Sequence, residues 1–199
     1  MKTEIKNAIT NRRSYYTIGN QSTISDAEIE EILRFAIQHV PSAFDSQSAR
    51  LLLLLGDQHK KLWEIVKSQL AKLVPETAFL SVEQKLNGFQ AGYGTVLYFE
   101  DQKVITDLQK KYPSYADNFL IWSEHTSAMH QYVVWMLLED TGLGASLQHY
   151  NPLIDEEVQQ AWNLPQNWKL RAQMPFGKPT GQPAAKNLKP VGERLLVFK

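Results

Sequence analysis

The stretch Pro41-Ser42-Ala43-Phe44-Asp45-Ser46-Gln47-Ser48-Ala49-Arg50, running into Leu51-Leu52-Leu53-Leu54-Leu55, decides the fold class. An unbroken leucine run between Arg50 and Gly56-Asp57 has strand length, and a run without alternation reads as a strand covered on both faces. Before it, Ser25-Asp26-Ala27-Glu28 has the form of a capping box, and Ile29, Ile32, Leu33, Ala36 and Ile37 follow on one helical face. Proline disfavours helical geometry in the residue before it, so that helix should end at Val40, ahead of Pro41. A helix, a loop of small polar side chains and a buried strand thus follow one another.

Working outward, Ile5, Ala8 and Ile9 recur at helical spacing and predict a short helix that runs into Asn11-Arg12-Arg13-Ser14. Leu62, Ile65, Val66, Leu70 and Leu73 predict a helix ending near Pro75, and residues 95–99 a second strand. Segments 104–112 and 115–139 read as helices. The latter is apolar over much of its surface, through Trp122, Met129, Val133, Trp135, Met136 and Leu137, and Gly142 can end it by adopting a left-handed backbone. Most prolines fall in the last third, where strand-like pieces at 169–174 and 194–198 flank an extended Pro/Gly/Lys-rich stretch, 177–192. Without a repeat or a linker, residues 1–199 are expected to form one domain, burying roughly 70% of the surface of the unfolded chain. Runs of helix with scattered strands favour α+β over a doubly wound sheet.

Composition narrows the chemistry. Lys+Arg and Asp+Glu both number 21, so no net field draws the chain to nucleic acid or to an anionic membrane. The absence of cysteine removes disulfides, thiolate catalysis and Cys-ligated metal. The charged start has no apolar run of signal-peptide length, and 51–55 is far too short to span a bilayer, which makes the cytoplasm the expected location. Gly142-Leu143-Gly144 lacks a third glycine and follows a helix rather than a strand, and Gly177-Lys178-Pro179 has proline where a phosphate loop needs Ser or Thr. His125 and His130 are spaced wrongly to share a helical face, so no metal site is expected. His39 and His59 are expected as exposed helix-end residues, with His149 in a polar loop.

Arg12-Arg13-Ser14 places two fixed positive charges and a hydroxyl in one short loop. A guanidinium fork matches phosphate oxygens bidentately. Two arginines at a helix C-terminus also complement its dipole, and both readings stand. The 42–50 loop can present hydrogen-bonding groups to a planar heterocycle, or serve as a helix cap at Ser42 or Asp45.

Four segments now stand in one order: Asn-Arg-Arg-Ser near the start, Pro-Ser-Ala-Phe-Asp-Ser-Gln-Ser before the leucine run, Gly-Leu-Gly-Ala-Ser-Leu-Gln-His-Tyr-Asn after the long helix, and Pro-Phe-Gly-Lys-Pro near the end. In this the chain resembles the FMN-dependent nitroreductase family, in its short fatty-acid-repression-mutant-like branch, over essentially its whole length. The resemblance implies an α+β fold with a central, mostly antiparallel sheet flanked by helices, in a homodimer whose C-terminal strand is exchanged between subunits. It implies FMN as cofactor. Arg12 and Ser14 would meet its phosphate with Arg13 close by, Tyr16 would lie at the ribityl edge, and Arg194 would be a distal phosphate contact. Asp45 and Gln47 would lie against the pyrimidine end, and Leu147, Gln148 and His149 would bring backbone N–H groups toward N5 and O4. Asp45 departs from the asparagine usual there; its charge opposes an anionic reduced flavin and should lower the flavin potential.

The implied activity is transfer of hydride from NADH or NADPH, through flavin N5, to nitroaromatic, quinone or similar electrophilic acceptors in a ping-pong cycle. No side chain is required as a catalyst, because the flavin carries the chemistry. Phe119 and Trp122 could line the acceptor site or simply pack in the core. The alternative is a non-catalytic flavin-binding regulatory or stress-response protein on the same fold.

Overall fold

Strand β3 (Gly94–Asp101) is buried along its whole length and organises the structure, a computed structural model that describes residues 3–199. Its side chains alternate between two cores. Val96 and Tyr98 face one, packed with Ala172, Met174 and Phe176; Leu97 and Phe99 face the other, with Leu54 and Leu170. Antiparallel neighbours β5 (Trp168–Pro179) and β2 (Ala49–Leu55) flank it, and the two-residue strands β1 (Ile18–Gly19) and β4 (Gly144–Ala145) both pair with β5. The five strands pair antiparallel, yet helices cover both faces, so β3 is as buried as a parallel central strand.

On one face lie α2 (Asp26–His39) and the long helix α6 (Ala116–Asp140), through Ile29, Leu33, Ala36, Val134, Trp135 and Leu138. On the other lie α3 (Gly56–Ala71), α4 (Glu76–Gln90) and α7 (Asp155–Ala161), through Leu62, Trp63, Val66, Leu86, Phe89 and Val158. Helices α1 (Thr3–Asn11) and α5 (Gln102–Lys111) both pack against α6. The capping box at Ser25 is complete: its hydroxyl accepts from the Glu28 N–H at 3.3 Å, and the Glu28 carboxylate accepts from the Ser25 N–H at 2.8 Å. Gly142, at φ 81, turns the chain out of α6 as expected.

Three expectations change. The leucine strand is an edge strand, its leucines mostly half-buried, because only β3 pairs with it. His59 is buried rather than exposed. It sits on the face of α3 that carries Leu62, Trp63 and Val66, with Nδ1 2.8 Å from the Thr95 hydroxyl and Nε2 3.2 Å from the Gln90 carbonyl. Trp63 Nε1 donates to the same hydroxyl at 3.1 Å, so the imidazole and indole fasten α3 to β3 and α4. The third change is at the C-terminus. Among the described residues, 194–198 form no strand, and Leu195, Leu196, Val197 and Phe198 are exposed. Helices α4 and α7 were not anticipated.

Candidate active site

The Arg12-Arg13-Ser14 loop is fixed by the sheet. Ser14 forms a parallel bridge to Ala145, and the Tyr15 N–H donates to the Ala145 carbonyl at 3.0 Å. The loop after α1 therefore lies beside the segment that leaves α6, joining two of the four sequence motifs. Arg12 stacks its guanidinium over Trp135, 4.2 Å from the ring centroid, which fixes the plane of the fork. Its Nε is buried and has no hydrogen-bond partner among the described residues. A buried cationic N–H without an acceptor is costly, and an anion supplied from outside removes that cost. Arg12, Arg13, Ser14, Tyr16 and Lys186 line a cleft of about 520 Å³. Over the cleft, Arg13 Nη2 donates to the Ala184 carbonyl, and Lys186 Nζ donates to the Thr10 carbonyl at 3.3 Å. Glu139 lies nearby, its carboxyl raised above the usual range by burial; the Arg12 guanidinium and the Arg13 N–H pull in the other direction. The donor set fits a phosphate dianion.

Beyond Ala145 the chain runs antiparallel to β5. The Gln148 N–H donates to the Gln173 carbonyl at 2.7 Å and the Gln173 N–H returns to the Gln148 carbonyl at 2.9 Å. That N–H is committed to the sheet, so Leu147 and His149, whose N–H groups alternate away from β5, are the donors this segment can turn toward a ligand. Leu147 also packs on the core and His149 is exposed.

The 42–50 loop is unusual in its backbone. Phe44, Asp45 and Gln47 lie at φ 56, 50 and 47, the left-handed region that costs a side-chain-bearing residue on the order of 1–2 kcal/mol. Several contacts hold it there. The Ser42 hydroxyl accepts from the Gln47 N–H at 2.9 Å, Gln47 Nε2 donates to Asp45 Oδ2 at 3.1 Å, and Arg50 Nη1 donates to the Gln47 carbonyl at 2.7 Å. The strain turns Phe44 outward onto an aromatic platform. It stacks on Trp122 at 5.7 Å and 20°, and packs against Tyr112, Tyr115 and Phe119 within 5.8 Å.

Directly beneath the loop, Ser48 donates to Glu100 Oε2 at 2.5 Å, and Ser46 lies 3.3 Å from Ser48. Glu100 is only 1% exposed, and its Oε1 has no partner among the described residues.

These parts meet different stretches of α6. Phe44 packs against it at Phe119 and Trp122, Ser42 and Gln47 line a small cavity with His130, and Arg12 packs at Trp135, thirteen residues beyond Trp122. Arg194 lies on the exposed C-terminal arm, where Nη2 reaches only the Lys189 carbonyl at 3.3 Å. The site motifs fall into two half-sites and an arm. Among the described residues no group of His, Asp or Glu could hold a metal ion, and no helix is long and apolar enough to cross a membrane.

The profile of the "Nitroreductase family" matches residues 9–178, a span that includes the arginine loop, the strained loop and the segment after α6. The chain belongs to the nitroreductase family. Its relatives include the Saccharomyces cerevisiae nitroreductases HBN1, 32% identical over 182 residues, and FRM2, 32% identical over 186, covering 89% and 90% of both chains respectively. These are members of the branch the sequence motifs resemble. Among solved structures, nitroreductase CinD from Lactococcus lactis in complex with chloramphenicol is 42% identical, with a TM-score of 0.90 over 98% of this chain and 100% of that one. A nitroreductase with bound FMN from Desulfitobacterium hafniense shares the fold at TM-score 0.74 and 14% identity.

Trp135, Glu139, Lys186 and Glu100 did not stand out in the sequence. Trp135 could have been found by its place on the α6 face that meets α1. Nothing at Glu100 distinguishes it from an ordinary strand-end acid.

Proposed function

We propose that this chain is an FMN-dependent oxidoreductase that passes reducing equivalents from NADH or NADPH to nitroaromatic, quinone or similar electrophilic acceptors. The observation that carries the reading is Arg12: a half-buried arginine at the cleft, oriented by Trp135, whose buried Nε–H has no partner among the described residues, beside Arg13 and Ser14. In this reading Arg12 and Ser14 hold the FMN phosphate, with Arg13 and Lys186 adding positive charge. Tyr16 borders the ribityl chain, and Leu147 and His149 turn backbone N–H groups to the ring with Gln148 holding their strand in place. Bound FMN supplies hydride exchange at N5 with donor and acceptor in turn, in a ping-pong cycle. Homologues crystallised with FMN and with chloramphenicol support the choice of cofactor and of a flat, electron-poor acceptor.

In this reading a second copy of the chain completes the site, bringing its own Asp45 and Gln47 to the flavin's pyrimidine end. The exposed arm with Arg194, Leu195, Leu196, Val197 and Phe198 reaches onto that partner as the exchanged strand. Phe44, Phe119 and Trp122 form an apolar platform on which a planar acceptor stacks.

The test is flavin binding by the purified chain. Arg12→Glu puts a negative charge against the phosphate and should abolish FMN binding measured by flavin fluorescence quenching, while circular dichroism stays native. Full FMN occupancy in that variant would refute the assignment. Anaerobic titration with NADH or NADPH, followed by a nitroaromatic, then reads turnover.

A further inference from the structure

We propose that Glu100 is a positioning residue for the flavin-facing loop: its neutral carboxyl keeps Ser48 and Ser46, and through them Asp45 and Gln47, in the binding arrangement, and its ionisation, which leaves the buried Oε1 charged and without a donor, rearranges them. The inference rests on the FMN reading above and adds regulation to that site.

The geometry leaves a charge on this carboxyl only half compensated. One oxygen is paired, to Ser48 at 2.5 Å, and the other is buried without a donor. A neutral carboxyl tolerates a single partner, whereas a carboxylate has several lone pairs to satisfy and demands donors on both oxygens. The cations nearby are already engaged. Arg50 on β2 is committed to Asp101 at 2.9 Å and to the Gln47 and Ala49 carbonyls. Arg171, the extra residue of the bulge on β5 opposite Tyr98 and Phe99, is paired with Glu124 on α6. Lys169, in register with Glu100 on β5, is exposed. Glu124 would be repelled by a new negative charge. Ionised Glu100 must therefore draw donors from what it already touches, Ser48 and the loop above, or admit water between them.

Burial pushes the Glu100 carboxyl up to about 7 against the Ser48 hydrogen bond, with Glu124 adding to the rise and Arg171 and Arg50 opposing it. The transition thus falls near neutrality. His130 on α6, which lines the small cavity beside Ser42 and Gln47, is lowered by burial and titrates on the acid side of its ordinary range.

The experiment has one readout without flavin and one with it. Phe44 stacks on Trp122, so fluorine NMR of the fluorotryptophan-labelled full chain, with the Trp122 line assigned through Trp122→Phe, reports the loop directly. Between about pH 5.5 and about pH 8.5 that line should show a one-proton transition near neutrality, and the FMN Kd should rise by up to about tenfold for each pH unit above it. In Glu100→Gln, whose amide oxygen can still accept from Ser48, both profiles should be flat. In Ser48→Ala the Kd should be weaker at every pH and flat. Persistence of the wild-type transition in either variant overturns the proposal, and Ser48→Ala decides it should Glu100→Gln fold poorly. A Glu100-dependent Trp122 transition in a chain that binds no FMN at any pH overturns the flavin reading alone and upholds the coupling to the loop.

Discussion

Glu100 and His59 titrate in opposite senses over the same pH range, and removing one exposes the other. His59 is lowered by burial from 6.5 to about 4, so it stays neutral in the fold while the unfolded chain takes up a proton. Its depressed folded value means stability is present above pH 6.5 and is lost as pH falls toward 4. Glu100 is raised by burial from 4.5 to about 7, so the fold keeps a proton that the unfolded chain has released. Its contribution is fully present below pH 4.5 and is lost as pH rises through 7. Each shift is about 2.5 units, which at about 1.36 kcal/mol per unit is about 3 kcal/mol over the full range. Between pH 4.5 and 6.5 the two slopes have opposite sign and nearly cancel, so their sum is almost flat. Glu100→Gln deletes one slope. The stability difference between wild type and variant should then shrink by about 2 kcal/mol on going from pH 4.5 to pH 6.5, because both ends lie close to a midpoint. Urea unfolding at intervals across that range measures it, and the shared titration of surface carboxylates drops out of the difference. A difference constant to within about 0.5 kcal/mol would show that Glu100 is ionised in the fold, and the argument would fail.

Three further outcomes are expected. Asp45→Asn removes a negative charge from the pyrimidine end and should raise the FMN midpoint potential, read by spectroelectrochemistry; an unchanged potential places Asp45 away from the ring. Phe44→Ala removes the stacked cap of the aromatic platform, worth about 0.5–1.5 kcal/mol, and should raise KM for a nitroaromatic about three- to tenfold while kcat for a small quinone changes little. Deleting residues 188–199 removes Leu188, Val191, Leu195, Leu196, Val197 and Phe198, all at least 60% exposed, and should convert the proposed dimer to monomer in analytical ultracentrifugation. A chain that sediments as a dimer without them assigns the arm another role.

Local signals with a single physical cause were legible in the sequence. The Ser25 capping box, the helix ending at Val40, the strand around 95–99 and the left-handed Gly142 all depend on neighbouring residues alone, and all four are in the structure. His59 shows a signal present but unread: its spacing to Leu62, Trp63 and Val66 places it on the buried face of α3. Helix α4 offered Phe79, Val82, Leu86 and Phe89 at helical spacing after Pro75, a pattern diluted by Gly88. Glu100 had none. Whether a strand-end carboxylate meets an arginine or a serine depends on the bulge in β5, which only pairing creates. The edge position of β2 is likewise a property of sheet order, and no run of leucines encodes it.

A flavin site shared between two copies, with Arg12 from one and Asp45 from the other as proposed, has a genetic consequence. In the proposed dimer, a chain crippled at Arg12 and a chain crippled at Asp45 would each build two broken sites. Mixed in one cell, they would pair to give one site that carries both lesions and one that carries neither. Two inactive alleles would then restore activity together, toward a ceiling set by the fraction of mixed dimers.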